Sequence, residues 1–452
     1  MPGKSTIAAL ATPAGEGAVA LLRISGPLSE SITEEVFARK SPPPPRKAIL
    51  GTYTDVAGHP LDQALYTYYA QGASYTGEST LEIACHGNPL IAQKILEDLQ
   101  ERGCRLAEPG EFTRSAFLNQ RMDLSQAEAV MELIQAKSEK AIEVAQRHLR
   151  GGLGDRIRKL TQRLIRLCAQ LEAYIDFPEE DLPDEDEEGP RADLADLIAE
   201  VHRLIETNRF HESLTQGFKL AILGAPNAGK SSLLNALLDR DRAIVSKTPG
   251  TTRDFITEQI TYGALNLEVI DTAGLRDGGS EIEKLGMERT IDIAKQADFN
   301  LLVIDSADTL PALPQDLLEG LSPANTVVAE NKADLESSKD LQDYLPALPH
   351  CRISVKAGDG MKALKELLHT NLNALVELPG EETVIVNSRH KKLLDEGHGL
   401  LRDAQLKLES GSTEELAAND LRAALDAISS ITGTAGTEDI LDSIFLNFCI
   451  GK

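Results

Sequence analysis

One stretch constrains this chain more than any other. The apolar run Phe218 to Leu223 leads into Gly224-Ala225-Pro226-Asn227-Ala228-Gly229-Lys230-Ser231, which opens into Ser232-Leu233-Leu234-Asn235-Ala236-Leu237-Leu238. The middle block fits G-x-x-x-x-G-K-[ST], and strand, glycine loop and helix stand in the required order. Glycines let the backbone bend so that successive N–H groups point inward around a polyphosphate. Lys230 then reaches the terminal phosphates, and the Ser231 hydroxyl is placed to ligate Mg²⁺. The pattern implies a nucleoside triphosphate site on a parallel α/β sheet.

The nucleobase follows from Asn331-Lys332-Ala333-Asp334, which ends the apolar run Thr326 to Ala329 and lies 101 residues after Lys230. A carboxylate there accepts hydrogen bonds from both N1–H and the 2-amino group of guanine, donors that adenine lacks. The wrong base leaves that acceptor unpaired, a mismatch that discriminates strongly. Asp271-Thr272-Ala273-Gly274, after Leu267 to Ile270, places a carboxylate near Mg²⁺ and a glycine N–H near the γ-phosphate. Upstream, Thr248-Pro249-Gly250-Thr251-Thr252-Arg253-Asp254 supplies metal-binding hydroxyls and suits a segment ordered by the γ-phosphate. Ser354-Val355-Lys356 is a second candidate base-contacting loop.

Leu275 follows Gly274, where many GTPases carry a water-orienting glutamine, so hydrolysis needs another device. Glu281 and Glu283 are equal candidates for positioning water through an intervening water. Asn227 offers an amide oxygen for a monovalent cation, and Arg253 and Arg276 are rival arginine fingers.

The net charge of −25 argues against nonspecific nucleic-acid binding, because an acidic surface repels phosphates. An RNA partner must meet a local basic patch. The strongest is Arg147, Arg150, Arg156, Arg158, Lys159, Arg163 and Arg166, and a second is Arg389, His390, Lys391 and Lys392. Such charges on helices often serve only solvation. The acidic run Glu179 to Glu188 reads as a solvated loop. Five cysteines without C-x-x-C spacing imply neither a disulfide framework nor a zinc site. No signal peptide and no apolar run of spanning length appear, which points to a cytoplasmic protein with no membrane partner.

Strand-like runs Gly17–Ile24, Leu65–Tyr69 and Thr80–Ala84, with a helical pattern over Leu90–Arg102, predict a separate α+β domain. From Ser125 to about His211 the pattern is helical, stopping at Gly151-Gly152 and again across Pro178 to Pro190. It is helical once more from about Arg389 to Phe448. The nucleotide segment thus interrupts two helical stretches. The expected architecture is multidomain: an α+β N-terminal domain (1–119), an all-α helical domain in two parts (120–216 and 375–452), and an inserted α/β Ras-like P-loop GTPase domain (217–374).

With these features in view the chain resembles the MnmE family, also called TrmE, from end to end. The likeness is carried by the phosphate loop, the Thr-Thr-Arg-Asp stretch, Leu22-Arg23-Ile24-Ser25-Gly26, Tyr75-Thr76-Gly77-Glu78, Pro109-Gly110-Glu111-Phe112-Thr113-Arg114, Arg121 through Ala129, Ile175 through Asp181 and the terminal Phe448-Cys449-Ile450-Gly451-Lys452. The resemblance implies a tRNA-modifying GTPase working with the FAD-containing MnmG as a heterotetramer. Together they install an aminomethyl-type (carboxymethylaminomethyl) group at C5 of the wobble uridine, using a tetrahydrofolate one-carbon unit. It also implies that the first domain forms a homodimer and binds a 5-formyl-tetrahydrofolate-like ligand. Arg23, Glu82, Arg121 and Lys452 match the folate positions, and Cys449 is the matching catalytic thiol. By the same resemblance Glu283 orients the water, Asn227, Ser246, Thr248 and Thr251 hold K⁺, and Ser231 and Thr252 hold Mg²⁺. The implied GTP contacts run over Asn227 to Ser232 (Ala228 and Gly229 included), Ser246, Lys247, Thr248, Pro249, Gly250, Thr251, Thr252, Asp271, Thr272, Ala273, Gly274, Asn331, Lys332, Asp334, Ser354 and Val355. The chain departs from the family pattern at Ser79, Ser115, Val355 and Thr248-Pro249.

Overall fold

The computed structural model describes residues 5–176, 188–238, 256–262, 265–271, 281–308, 313–335, 344–376, 384–410, 414–433, 438–446 and 448–452. These residues fall into two compact units. The first comprises residues 1–131, 147–199 and 393–452, and the second residues 132–146 and 200–392.

The chain begins with β1 (Ile7–Leu10), β2 (Val19–Ser25), α1 (Ser29–Val36), β3 (Ile49–Thr54), β4 (Pro60–Tyr69), β5 (Thr80–His86), α2 (Pro89–Glu101), β6 (Arg105–Leu106) and α3 (Glu111–Leu118). The six strands form one sheet in the order β3-β4-β5-β2-β1-β6, antiparallel except for the β1–β6 pair. Alternation sets its two faces. Leu22, Ile24, Leu81 and Ile83 point into a core shared with Ile95 and Leu99 of α2, while Leu21, Arg23 and Glu82 lie on the other face. Asn88 caps α2 by accepting from the Leu90 N–H at 2.9 Å, with Pro89 in the first turn. On the buried face of α2 the Asp98 carboxylate accepts from the Tyr53 hydroxyl (2.6 Å), the Val56 N–H (2.7 Å) and Arg102 Nε (2.8 Å).

Helices follow: α4 (Leu124–Gln135), α5 (Glu139–Leu149), α6 (Gly152–Asp176), α7 (Glu188–Glu206) and α8 (Asn208–Gln216). Gly151, at φ 93, separates α5 from α6 where the sequence placed a stop. The second stop ends earlier than its residues suggest. Helix α7 starts at Glu188 and takes Pro190 into its first turn, where a proline lacks only an N–H that would go unbonded anyway.

The nucleotide segment contains β7 (Phe218–Gly224), α9 (Lys230–Leu238), β8 (Ile256–Tyr262), β9 (Leu265–Asp271), α10 (Glu281–Gln296), β10 (Phe299–Asp305), α11 (Gln315–Leu318), β11 (Thr326–Asn331), β12 (His350–Arg352) and α12 (Met361–Val376). Its sheet runs β12-β11-β10-β7-β9-β8, parallel except for β8. Strands β10 and β11 read as continuous apolar runs because both faces are covered. Strand order reverses at β7, so the loop after it opens into the crevice where open α/β sheets bind ligands. The chain closes with α13 (Ser388–Glu409), α14 (Glu414–Ser429) and α15 (Glu438–Phe445). In the first unit Leu441, Phe445 and Phe448 pack with Leu124 and Ala127, which fixes the C-terminal tail.

Candidate nucleotide and folate sites

The phosphate loop leaves β7 through Gly224. A Cβ on that residue would come within 2.2 Å of the Val303 carbonyl oxygen, and its φ is 146. Only glycine fits, because the neighbouring strand is already in contact. Asn227 follows with φ 66 and is solvent-exposed, and Gly229 has φ 96. Lys230 is 8% exposed, its ammonium donating to the Gly224 and Ala225 carbonyls at 3.0 Å each. Ala228 is buried, whereas Ser231 and Ser232 are exposed at the start of α9. Successive loop N–H groups and the N-terminus of α9 make this concavity anion-seeking.

Asn331 joins this loop to the base-reading side. It is 3% exposed, its Nδ2 donates to the Ala228 carbonyl at 2.8 Å, and its Oδ1 accepts from the Val355 N–H at 3.1 Å. The same amide explains Gly229, where a Cβ would lie 2.2 Å from Asn331 Nδ2. Val355 takes part through its backbone N–H, and its side chain packs against the apolar core of the second unit. Ser354 Oγ donates to Asp334 Oδ1 at 2.6 Å and accepts from the Ala357 N–H at 3.1 Å. Asp334 is exposed, and the Ser354 hydroxyl holds its carboxyl below the usual carboxylate range. The result is an exposed acceptor carboxylate whose charged form is favoured. Lys332, at φ 63, extends its ammonium to 2.5 Å from Asp305 Oδ2. Sequence reasoning missed Asp305, although it ends the apolar run of β10 beside Asn331, its register partner.

Asp271 is the last residue of β9, paired in register with Ile222 and Ile256. Glu281 and Glu283 lie in the first turn of α10, whose backbone alone is described there. Ser246, Lys247, Thr248, Pro249, Gly250, Thr251, Thr252, Arg253, Thr272, Ala273, Gly274 and Arg276 lie outside the described residues.

The first unit holds the other predicted cluster. Arg23 and Glu82 are direct neighbours across β2 and β5, with Arg23 Nε and Nη2 at 3.0 and 2.9 Å from Glu82 Oε1. The guanidinium lies 5.6 Å from the Tyr75 ring centroid and 5.7 Å from that of Phe112. Tyr69 donates to the other Glu82 oxygen at 3.4 Å, and Tyr75 shares a 3.0 Å hydrogen bond with Thr113. The C-terminal tail reaches the same place. Lys452 O accepts from the Phe112 N–H at 3.1 Å, and a Cβ on Gly451 would come within 2.6 Å of the Leu10 carbonyl oxygen. Cys449 is exposed on this tail, while Cys85, Cys104, Cys168 and Cys351 are buried. Arg121 lies beside the β4–β5 loop, its Cγ 3.3 Å from where a Gly77 Cβ would stand. Tyr69 was not singled out beforehand, and Tyr75 and Phe112 stood only inside quoted motifs, because Tyr75 comes from the β4–β5 loop and Phe112 from α3, and only the fold brings them to Arg23.

Two family models match, the GTP-binding protein TrmE N-terminus over residues 6–121 and the MnmE helical domain over residues 124–449. The chain is 45% identical to the tRNA modification GTPase MnmE of Opitutus terrae over 454 residues, covering 100% of both chains. It is 38% identical to that of Thermotoga maritima over 459 residues, covering 99% of this chain and 100% of the relative. Among solved structures it is similar to the G domain of the T. maritima FeoB iron transporter (29% identity, 34% of this chain, 98% of that chain, TM-score 0.26), a likeness too partial to bear on the fold. Full-length identity at this level, with family models matching both the N-terminal and the helical regions, places it: the chain belongs to the MnmE family of tRNA modification GTPases.

Proposed function

We propose that this chain binds and hydrolyses GTP to drive wobble-uridine modification, with a folate carried in the first unit and a flavoprotein of the MnmG type as partner. The observation that carries the folate reading is the Arg23–Glu82 pair beneath Tyr75 and Phe112, met by the tail bearing Cys449 and Lys452. A pterin edge asks for a carboxylate such as Glu82, its glutamate tail asks for cations such as Arg23, Arg121 and Lys452, and its flat ring suits the two aromatic faces. A GTPase acting only as a switch needs none of these.

When bound, Mg²⁺ neutralises phosphate charge, K⁺ supplies the positive charge an arginine finger gives elsewhere, and the folate provides the one-carbon unit. Ser231 and Thr252 are the Mg²⁺ ligands in this reading, and Asn227, Ser246, Thr248 and Thr251 the K⁺ ligands. Asn227 suits the role, being exposed in the phosphate loop, where its amide oxygen can meet a cation shared with a bound phosphate. Glu283 positions the attacking water and Asp334 selects guanine. Homodimerisation is supported by Leu50 and Leu65, which face each other across β3 and β4 while 61% and 49% exposed, a paired apolar row that a second copy would cover.

Calorimetric titration with 5-formyltetrahydrofolate tests the folate reading. Wild-type protein should bind with saturable heat. Glu82→Gln should bind at least about tenfold more weakly, since one charge-assisted hydrogen bond is worth about 1.5–3 kcal/mol. Wild-type protein giving no heat, or a Glu82→Gln variant binding equally well, would remove the folate from the account.

A further inference from the structure

We infer that one face of α6 is a docking ridge for the phosphate backbone of tRNA. This inference rests on tRNA being the substrate. Seven basic side chains and one acidic one lie between Arg147 and Arg166, in a chain whose net charge is −25. Within α6, Arg156, Lys159, Arg163 and Arg166 fall within about 80° of arc and along about 15 Å of helix, at 3.6 residues per turn and 1.5 Å rise per residue. Arg156, Lys159 and Arg166 are exposed, and Arg163 is half-buried.

The spacing is unfavourable for the helix by itself. Arg156–Lys159, Lys159–Arg163 and Arg163–Arg166 are like-charge neighbours at i,i+3 or i,i+4, which disfavours a helix. A face that only needed solvation is better served by acidic residues interspersed here as i,i+3 and i,i+4 partners, and this chain has many to spare. The single acidic residue of the stretch, Asp155, is held by Arg158 at 2.6 Å, and Arg158 also reaches Asp123 at 3.2 Å. Arg163 is anchored to Asp193 of α7. Lys159 and Arg166 carry no ion pair among the described residues, and Arg166 Nε donates to the Gln162 carbonyl at 3.3 Å, holding its guanidinium along the helix. A row of cations kept against local repulsion, on an otherwise acidic molecule, matches a polyanion with regularly spaced charges. Because the surrounding field is negative, docking is confined to this row and off-site binding is suppressed.

The test is the salt dependence of tRNA binding for the full chain, the Lys159→Gln/Arg166→Gln double variant and the Lys159→Glu/Arg166→Glu double variant. Fluorescence-labelled tRNA is titrated between about 50 and about 200 mM KCl, the range over which phosphate-bound cations lose most of their affinity. The glutamine pair should lower the slope of log K against log salt by about 2, one for each phosphate no longer neutralised, and weaken low-salt binding about tenfold or more. The glutamate pair should weaken it further. GTP hydrolysis without RNA and the melting temperature should match wild type in both. Wild-type slope and affinity in the variants overturn the ridge alone. A loss of binding that tracks a lowered melting temperature also counts against it. Wild-type protein that binds no tRNA at low salt instead overturns the tRNA reading beneath it.

Discussion

Asn331→Ala is the sharpest perturbation of the nucleotide site, because one buried amide holds the phosphate loop and the second base loop together. The substitution removes the 2.8 Å bond to the Ala228 carbonyl and the 3.1 Å bond from the Val355 N–H, at a residue only 3% exposed. Leaving each buried partner unsatisfied costs about 1–3 kcal/mol, less whatever water recovers by entering the gap. Taking the low end of each, about 2 kcal/mol is lost from the arrangement that grips GTP, or roughly 30-fold in affinity at 1.4 kcal/mol per decade. Asn331→Asp should do no better, since its carboxylate faces the Ala228 carbonyl and cannot donate. Titration with a fluorescent guanine nucleotide reads the effect, and circular dichroism confirms that the variant is folded. A folded Asn331→Ala protein with wild-type affinity would refute the idea that this amide couples the two loops.

Other outcomes follow from the same geometry. Asp334→Asn should shift preference from guanine to xanthine nucleotides in competition binding; unchanged GTP selectivity would take base reading away from Asp334. Because the Ser354 hydroxyl holds the Asp334 carboxyl below its ordinary value near 3.9, the acceptor stays ionised above that range and is lost only as pH falls through the lowered value, so guanine affinity should be flat from about pH 8 to about pH 5. Glu283→Ala should slow single-turnover hydrolysis while sparing GTP affinity, and wild-type rates would return the task to Glu281 or an arginine. Asp98→Ala removes the acceptor of the buried Tyr53 hydroxyl and one of the two carboxylates on Arg102, which keeps Glu35 at 2.8 Å, and should cost about 1–3 kcal/mol in denaturant unfolding of the first unit. A loss below about 1 kcal/mol would mean that water satisfies these groups.

What the sequence made legible was local and periodic. The phosphate loop announced itself because glycine spacing, lysine and flanking apolar runs are neighbours in the chain, and β7 and α9 stand where those runs lie. Strand β11 and the Asn331–Asp334 turn were legible for the same reason. Strands β1, β3 and β6 were not. Ile7-Ala8-Ala9-Leu10 has no polar alternation, and β6 has only two residues. In β3, Gly51 interrupts the pattern because the stacked rings of Phe37 and Tyr66 lie against it, a Cβ there meeting Phe37 at 2.8 Å. The cluster around Arg23 and Glu82 was legible only as scattered positions. Its charged pair depends on β2–β5 register, its aromatic neighbours on where the β4–β5 loop and α3 fall, and its last member on a tail returning from the far end of the chain, and none of these is a spacing in sequence. Likewise Asn331 was visible as part of a base motif, but its role as a cross-link needed the Ala228 carbonyl and the Val355 N–H placed on opposite sides of it.

The central claim is that GTP turnover here serves chemistry on tRNA rather than signalling alone. Its most direct test combines this chain with a flavoprotein partner of the MnmG type, GTP, K⁺, methylenetetrahydrofolate, an amine donor and unmodified tRNA, followed by nucleoside mass spectrometry. A wobble uridine carrying an aminomethyl-type group at C5 should form with wild-type protein and fail to form with Glu82→Gln, although that variant still hydrolyses GTP. Brisk GTP hydrolysis with uridine left unchanged by the wild-type protein would contradict the account.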